Sequence, residues 1–207
     1  MQVTWYFDFV SPFAYLQFER LRAASVAFVP RPIVLARVLE AHGQLGPAEI
    51  PSKREFTYRH VTWLAAQAGV PLRFPAAGHP FNSIPLLRLA LAHDGDLAVV
   101  ARLFRYVWVE GSLPQQPEPW RALLSELGVE DRDASEAVKL ALREETERAI
   151  ALGVFGVPTA RVDGQSFWGL DATGMLLDCV RDPAGFAATP WGAPLDVLVA
   201  ARRARVR

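Results

Sequence analysis

Cysteine is nearly absent from this chain of 207 residues, which carries a single thiol, Cys179. One thiol rules out an intrachain disulfide and any cysteine-based metal cluster. Within the late helical stretch "GLDATGMLLDCVRD", Cys179 reads as a small core residue. Histidine is scarce as well: His42, His60, His79 and His93 share no metal-ligand spacing, so each reads as a surface or core side chain. Long apolar runs are missing. No segment approaches the roughly 18 apolar residues of a membrane-spanning helix. The first residues lack the basic region and cleavage site of a secretory signal, and Asp8 interrupts their apolar run. A cytoplasmic location with no membrane partner is therefore expected. Net charge is missing too, with 22 Lys and Arg against 22 Asp and Glu, so electrostatics gives no reason to expect nucleic acid. The tail "ARRARVR" is basic, but it reads as a solvated, frayed end.

What is present suits a soluble enzyme-sized unit. Half of the residues are apolar and a fifth are charged. The length suits one domain, or one domain carrying a large insertion. The stretch "VTWYFDFVSPFAYLQFERL" begins as a buried strand rich in β-branched and aromatic residues, then breaks at Ser11-Pro12. Serine is a favoured N-cap and proline suits the first helical position, so a helix starts there. Phe13, Leu16 and Leu21, with Tyr15 and Phe18 beside them, form its apolar stripe. "VAFVPRPIVL" reads as a second strand, which Pro30 and Pro32 confine to a sheet edge. "LARVLEAHG" is a short helix stopping at Gly43.

From Lys53 to about Leu152 the patterns are nearly all helical. Ile84, Leu87 and Leu91 share one face of a helix, and Leu97, Val100, Phe104 and Val107 share a face of the next. The section "EDRDASEAVKLALREETERAIALG" adds one or two more, closing at Gly153. Then the character changes. Thr159–Val162 and Ser166–Trp168 flank Asp163-Gly164, a strong hairpin signal. A closing helix follows. The order βαβα, a helical stretch, then ββα is that of an α/β thioredoxin-like fold interrupted by a large all-helical insertion. Residues 1–50 and 153–207 form the thioredoxin-like part and 51–152 the insertion.

In such a fold, the end of the first strand and the start of the first helix form the active edge, and a cis-proline loop before the hairpin faces it. Those places fall on Ser11-Pro12 and Val157-Pro158. Redox relatives carry Cys-x-x-Cys where this chain has Ser11 and Ala14, which excludes dithiol chemistry. "WYFDFVSPFAYL" and "GVFGVPTARVDGQSFWGLD" resemble the two end motifs of 2-hydroxychromene-2-carboxylate isomerases, DsbA-like proteins related to kappa-class glutathione transferases. The resemblance spans nearly the whole chain, including "PSKREFTY" at the start of the insertion.

That resemblance implies a cofactor, glutathione, and roles for particular residues. Ser11 contacts the glutathione sulfur and favours its thiolate. Val157, before a cis Pro158, pairs its backbone with the tripeptide. Leu170 and Asp171 take the γ-glutamyl end, and Lys53 matches a lysine near the site. Gln44 stands where many members carry asparagine, and Ala172 where arginine usually follows the acidic residue. Phe81, Asn82 and Trp168 are candidates for walling a small aromatic keto-acid. The implied reaction interconverts 2-hydroxychromene-2-carboxylate and trans-o-hydroxybenzylidenepyruvate in aromatic catabolism, in a chain expected to form a homodimer. Two other readings stand beside it: a kappa-class-like glutathione transferase, and a non-catalytic thioredoxin-fold binding module. The enzyme readings call for an apolar pocket between the two parts; the module calls for an open, filled edge. Taken alone, Ser11 reads as a helix cap, Lys53 as a surface charge and Asp8 as a capping or pairing residue.

Overall fold

The computed structural model describes residues 1–129, 135–197 and 200; the basic tail "ARRARVR" and the segment 130–134 lie outside the described residues. Strand β1 (Val3–Phe7) leads through helix α1 (Pro12–Ala23) to β2 (Phe28–Pro32) and helix α2 (Leu35–Ala41). A 3-10 turn, Pro47–Glu49, precedes the helices α3 (Pro51–Ala68), α4 (Ile84–Ala92), α5 (Leu97–Trp108), α6 (Pro117–Glu126) and α7 (Glu136–Ala151). The chain then returns through β3 (Thr159–Val162) and β4 (Gln165–Trp168) to α8 (Thr173–Arg181) and α9 (Pro183–Ala187). The sheet has the order β2-β1-β3-β4. β1 runs parallel to β2, which requires the α1 crossover, and antiparallel to β3. β2 is an edge strand, as its prolines demand, since neither Pro30 nor Pro32 can donate to a ladder.

β1 is central because both of its faces are buried. Val3, Trp5 and Phe7 alternate onto one face, where Trp5 stacks on Phe7 at 4.5 Å between ring centroids. Phe9 and Phe18 join that cluster, and Phe104 of α5 meets Phe9 at 4.7 Å, so the insertion and the sheet share one apolar core. Tyr6 turns the other way, onto Ile33, Val38, Ala149 and Val154. The β3–β4 turn takes positive φ at both central residues, 46° at Asp163 and 84° at Gly164. That is the conformation a tight hairpin demands and a glycine adopts freely.

Several expectations need correction. Residues 70–83 are not helical, because Pro71, Pro75, Gly78 and Pro80 interrupt the pattern. On α4 the fully buried residues are Leu86, Leu87, Leu89 and Ala90, whereas Ile84 and Leu91 are half-buried. α4 lies against α5, α7 and β2 together, so no single stripe describes it. Leu97 stays partly exposed at the start of α5, where Asp96 caps the amides of Ala98 and Val99. β4 begins one residue earlier than expected, and α9 is additional.

Candidate active site

The loop from β1 to α1 is folded by Asp8. Its carboxylate is buried and accepts from the Val10 amide at 3.0 Å and the Leu35 amide at 2.9 Å, while its carbonyl accepts from the Ser11 amide at 3.0 Å. Burial pushes this carboxyl above the ordinary aspartate range, against the opposing hydrogen bonds from Ser83 and the two amides. Asp8 is thus the turn-former that delivers Ser11 to its place.

Ser11 sits at the N-cap of α1 with φ −91° and ψ 112°, and is only 6% exposed. Its Oγ accepts from the Ala14 amide at 3.2 Å. A serine hydroxyl carries two lone pairs and one proton, so capping leaves the O–H free to donate. Cap and hydrogen-bond donor to an anion are compatible roles for one atom. Pro12 has no N–H and the Ala14 and Tyr15 amides donate to Ser11, so among the described residues the Phe13 amide is the one left free in the first turn, and with the α1 dipole it favours negative charge at the same point.

The antiparallel register pairs Tyr6 with Thr159, so the chain leaving β1 and the chain entering β3 emerge at the same end of the sheet. The Val157-Pro158 peptide there is cis. Pro158 accepts from the Gly169 amide at 2.9 Å, and Thr159 Oγ1 donates to the Gly156 carbonyl at 2.7 Å. Among the described residues, neither the amide nor the carbonyl of Val157 has a partner within the chain. An extended peptide could pair with it. Trp168 lies beside this loop. It is 53% exposed, packs on Phe155 at 5.0 Å, and covers Gly156 so closely that a side chain there would collide with the indole.

Sequence reasoning missed Gln17, which is buried on α1 with every polar atom used. Its Oε1 accepts from Trp5 Nε1 at 2.8 Å, and its Nε2 donates to the Gly169 carbonyl at 2.8 Å and to Thr173 Oγ1 at 3.0 Å. This bridge ties α1 to the turn carrying Leu170 and Asp171, which are half-buried and exposed respectively. A buried glutamine on an apolar stripe was the available signal. Gln17→Leu is expected to cost about 1–3 kcal/mol in urea denaturation, since the sealed indole N–H loses its only partner. A loss below a few tenths would show that the bridge contributes nothing.

From the insertion, Lys53 is exposed in the first turn of α3 and lines a cleft of about 380 Å³ with Pro47, Ser52, Phe56 and Thr57. Gln44 is exposed between α2 and the 3-10 turn. Asn82 is exposed just before Ser83, the N-cap of α4, and its Oδ1 accepts from the Ile84 amide at 3.1 Å. Phe81 is half-buried, 6.0 Å from the His79 ring and 6.2 Å from Trp108. A further cleft of about 350 Å³ lies between β2, α4 and α7. Neither cleft includes Ser11, so the pocket expected between the two parts is neither of these. Instead an aromatic row leads away from the Ser11 end of α1: Phe13 lies 6.2 Å from His60, which lies 5.4 Å from Phe56 and 6.3 Å from Trp63. Sequence reasoning did not single out this row. Among the described residues no helix is long and apolar enough to cross a membrane.

Comparison with known proteins agrees with this architecture. Residues 2–181 match the model of the DSBA-like thioredoxin domain. A 2-hydroxychromene-2-carboxylate isomerase from Pseudomonas putida is 36% identical over 193 residues, covering 85% of this chain and 92% of that protein. The solved structure of a 2-hydroxychromene-2-carboxylate isomerase superposes with a TM-score of 0.77 at 31% identity, covering 87% of this chain and 95% of that one. Glutathione S-transferase kappa 2 of Caenorhabditis elegans is 28% identical over 207 residues, covering 87% of this chain and 92% of that protein. The chain belongs to the DSBA-like thioredoxin family, in the branch of the 2-hydroxychromene-2-carboxylate isomerases.

Proposed function

We propose that this protein is a glutathione-dependent isomerase that interconverts 2-hydroxychromene-2-carboxylate and trans-o-hydroxybenzylidenepyruvate. The observation that carries the reading is the pairing of a free Ser11 O–H, at the start of α1, with the unpartnered Val157 backbone at the same end of the sheet. These groups suit a thiol-bearing tripeptide. Glutathione, when bound, supplies a thiolate able to add reversibly to a conjugated alkene. Ser11 donates to that sulfur, and the Phe13 amide and the α1 dipole favour its charge. Val157 orients the peptide backbone, while Leu170 and Asp171 receive the γ-glutamyl end, with the carboxylate facing its ammonium.

The parts 1–50 and 153–207 hold glutathione in this reading, and the insertion 51–152 receives the aromatic keto-acid. Phe81 and the row Phe13–His60–Phe56 offer apolar surface for the ring, and Lys53 and Gln44 flank the approach to the tripeptide. Asn82, whose Oδ1 holds the Ile84 amide while its NH2 stays exposed, and Trp168, exposed beside Gly156, complete the wall in this reading.

Because Gln44 and Ala172 replace residues that help hold the tripeptide in the resembling family, Asp171 is the main polar anchor left. Asp171→Ala is expected to raise the glutathione Kd about 3- to 10-fold by calorimetry, a modest effect because the carboxylate is exposed. Saturated turnover should change less. Glutathione titrated into the wild type tests the whole reading: no heat of binding at millimolar concentration overturns it. Turnover of simple electrophiles without chromene isomerisation would favour the transferase alternative.

A further inference from the structure

The loop that presents Ser11 is gripped by side chains of the insertion. Trp108 Nε1 donates to the Phe9 carbonyl at 2.9 Å, and His79 Nε2 lies 2.7 Å from the Val10 carbonyl. A carbonyl oxygen only accepts, so His79 Nε2 carries the proton. The other ring nitrogen, Nδ1, is then an acceptor, and the single proton of the Tyr58 hydroxyl is shared between it and the His79 carbonyl, each 2.8 Å away. The ring is walled by Phe74, Phe81 and Trp108, with ring centroids at 6.1, 6.0 and 5.7 Å. It is therefore fixed in place, in tilt and in tautomer. Burial holds the imidazole below its ordinary pKa, in keeping with a neutral donor.

We infer that His79, oriented by Tyr58, is a positioning residue that sets the Val10–Ser11 peptide, and with it the Ser11 hydroxyl and the Phe13 amide, toward the glutathione sulfur. His79 acts through the Val10 carbonyl, one residue before Ser11. The inference deepens the functional reading above and rests on it for its kinetic consequence. The clamp itself does not depend on that reading. It also gives the irregular segment 70–83 a purpose, since that segment carries the ring from α3 across to the active edge.

Two substitutions separate positioning from bulk packing. His79→Phe keeps a ring in the aromatic pocket but removes the donor, whereas His79→Gln can still offer an N–H to Val10. The first measurement is backbone hydrogen exchange of residues 8–14, in the protein alone. His79→Phe is expected to speed exchange there about tenfold, the effect of one lost hydrogen bond, with residues 159–168 unchanged and His79→Gln close to wild type. The second is turnover at saturating glutathione, expected to fall about tenfold in His79→Phe, with recovery in His79→Gln and little change in KM for glutathione. Should His79→Phe not fold, Tyr58→Phe frees the ring while keeping it, and the same faster exchange is expected. Unchanged exchange at 8–14, or a glutamine variant no better than the phenylalanine one, overturns the inference. A wild type without isomerase activity overturns the functional reading alone, and the exchange comparison still decides the clamp.

Discussion

Ser11→Ala is expected to lower kcat for chromene isomerisation roughly 10- to 150-fold while changing the glutathione Kd little. The magnitude follows from losing one hydrogen bond to a charged sulfur, about 1.5–3 kcal/mol. The Ser11 Oγ accepts from Ala14 and retains its proton, so alanine removes two things at once. Capping loss alone costs about 1 kcal/mol of stability and leaves turnover per folded molecule unchanged. Measuring kcat at saturating glutathione, beside the unfolding free energy, separates the two contributions. Equal kcat in wild type and variant would leave Ser11 as a helix cap and nothing more.

Asp8→Ala is expected to destabilise the fold by about 2–4 kcal/mol. The carboxylate holds two backbone amides, Val10 and Leu35, in bonds worth about 1.5–3 kcal/mol each. Relief from burying a carboxylate offsets part of that loss. The same burial predicts a pH signature. Because the folded carboxyl has a raised pKa, the folded state binds more protons than the unfolded chain between the ordinary aspartate value, about 4, and the folded one. The proton-linked part of the Asp8 contribution is therefore full below that window and lost as pH rises through the folded pKa, while the bonds to the two amides persist. In urea denaturation across pH, the gap between wild type and Asp8→Ala should narrow as pH rises through this range. A gap that widens instead would mean that the ionised form is the one the fold prefers.

The fold was legible because local signals agree with one another. Aromatic alternation in β1, Ser-Pro at α1, prolines at the β2 edge and Asp-Gly in the hairpin all act over a few residues. The candidate site was only half legible. Ser11, Val157 and Pro158 lie in motifs that the sheet register brings to one end of the sheet. Gln17 and His79 announce themselves by no motif, since their roles arise from partners 152 and 69 residues away. The helix α4 pattern misled for a related reason: a helix buried on several sides has no single apolar stripe to read. Trp168, the last residue of β4, packs over Gly156, a contact that no local pattern announces.

The most direct test of the account is the rate of 2-hydroxychromene-2-carboxylate interconversion by protein freed of small thiols, followed by absorbance with and without added glutathione. Glutathione dependence that saturates, with negligible turnover in its absence, is the predicted result. An equal rate without glutathione, or none with it, would contradict the account.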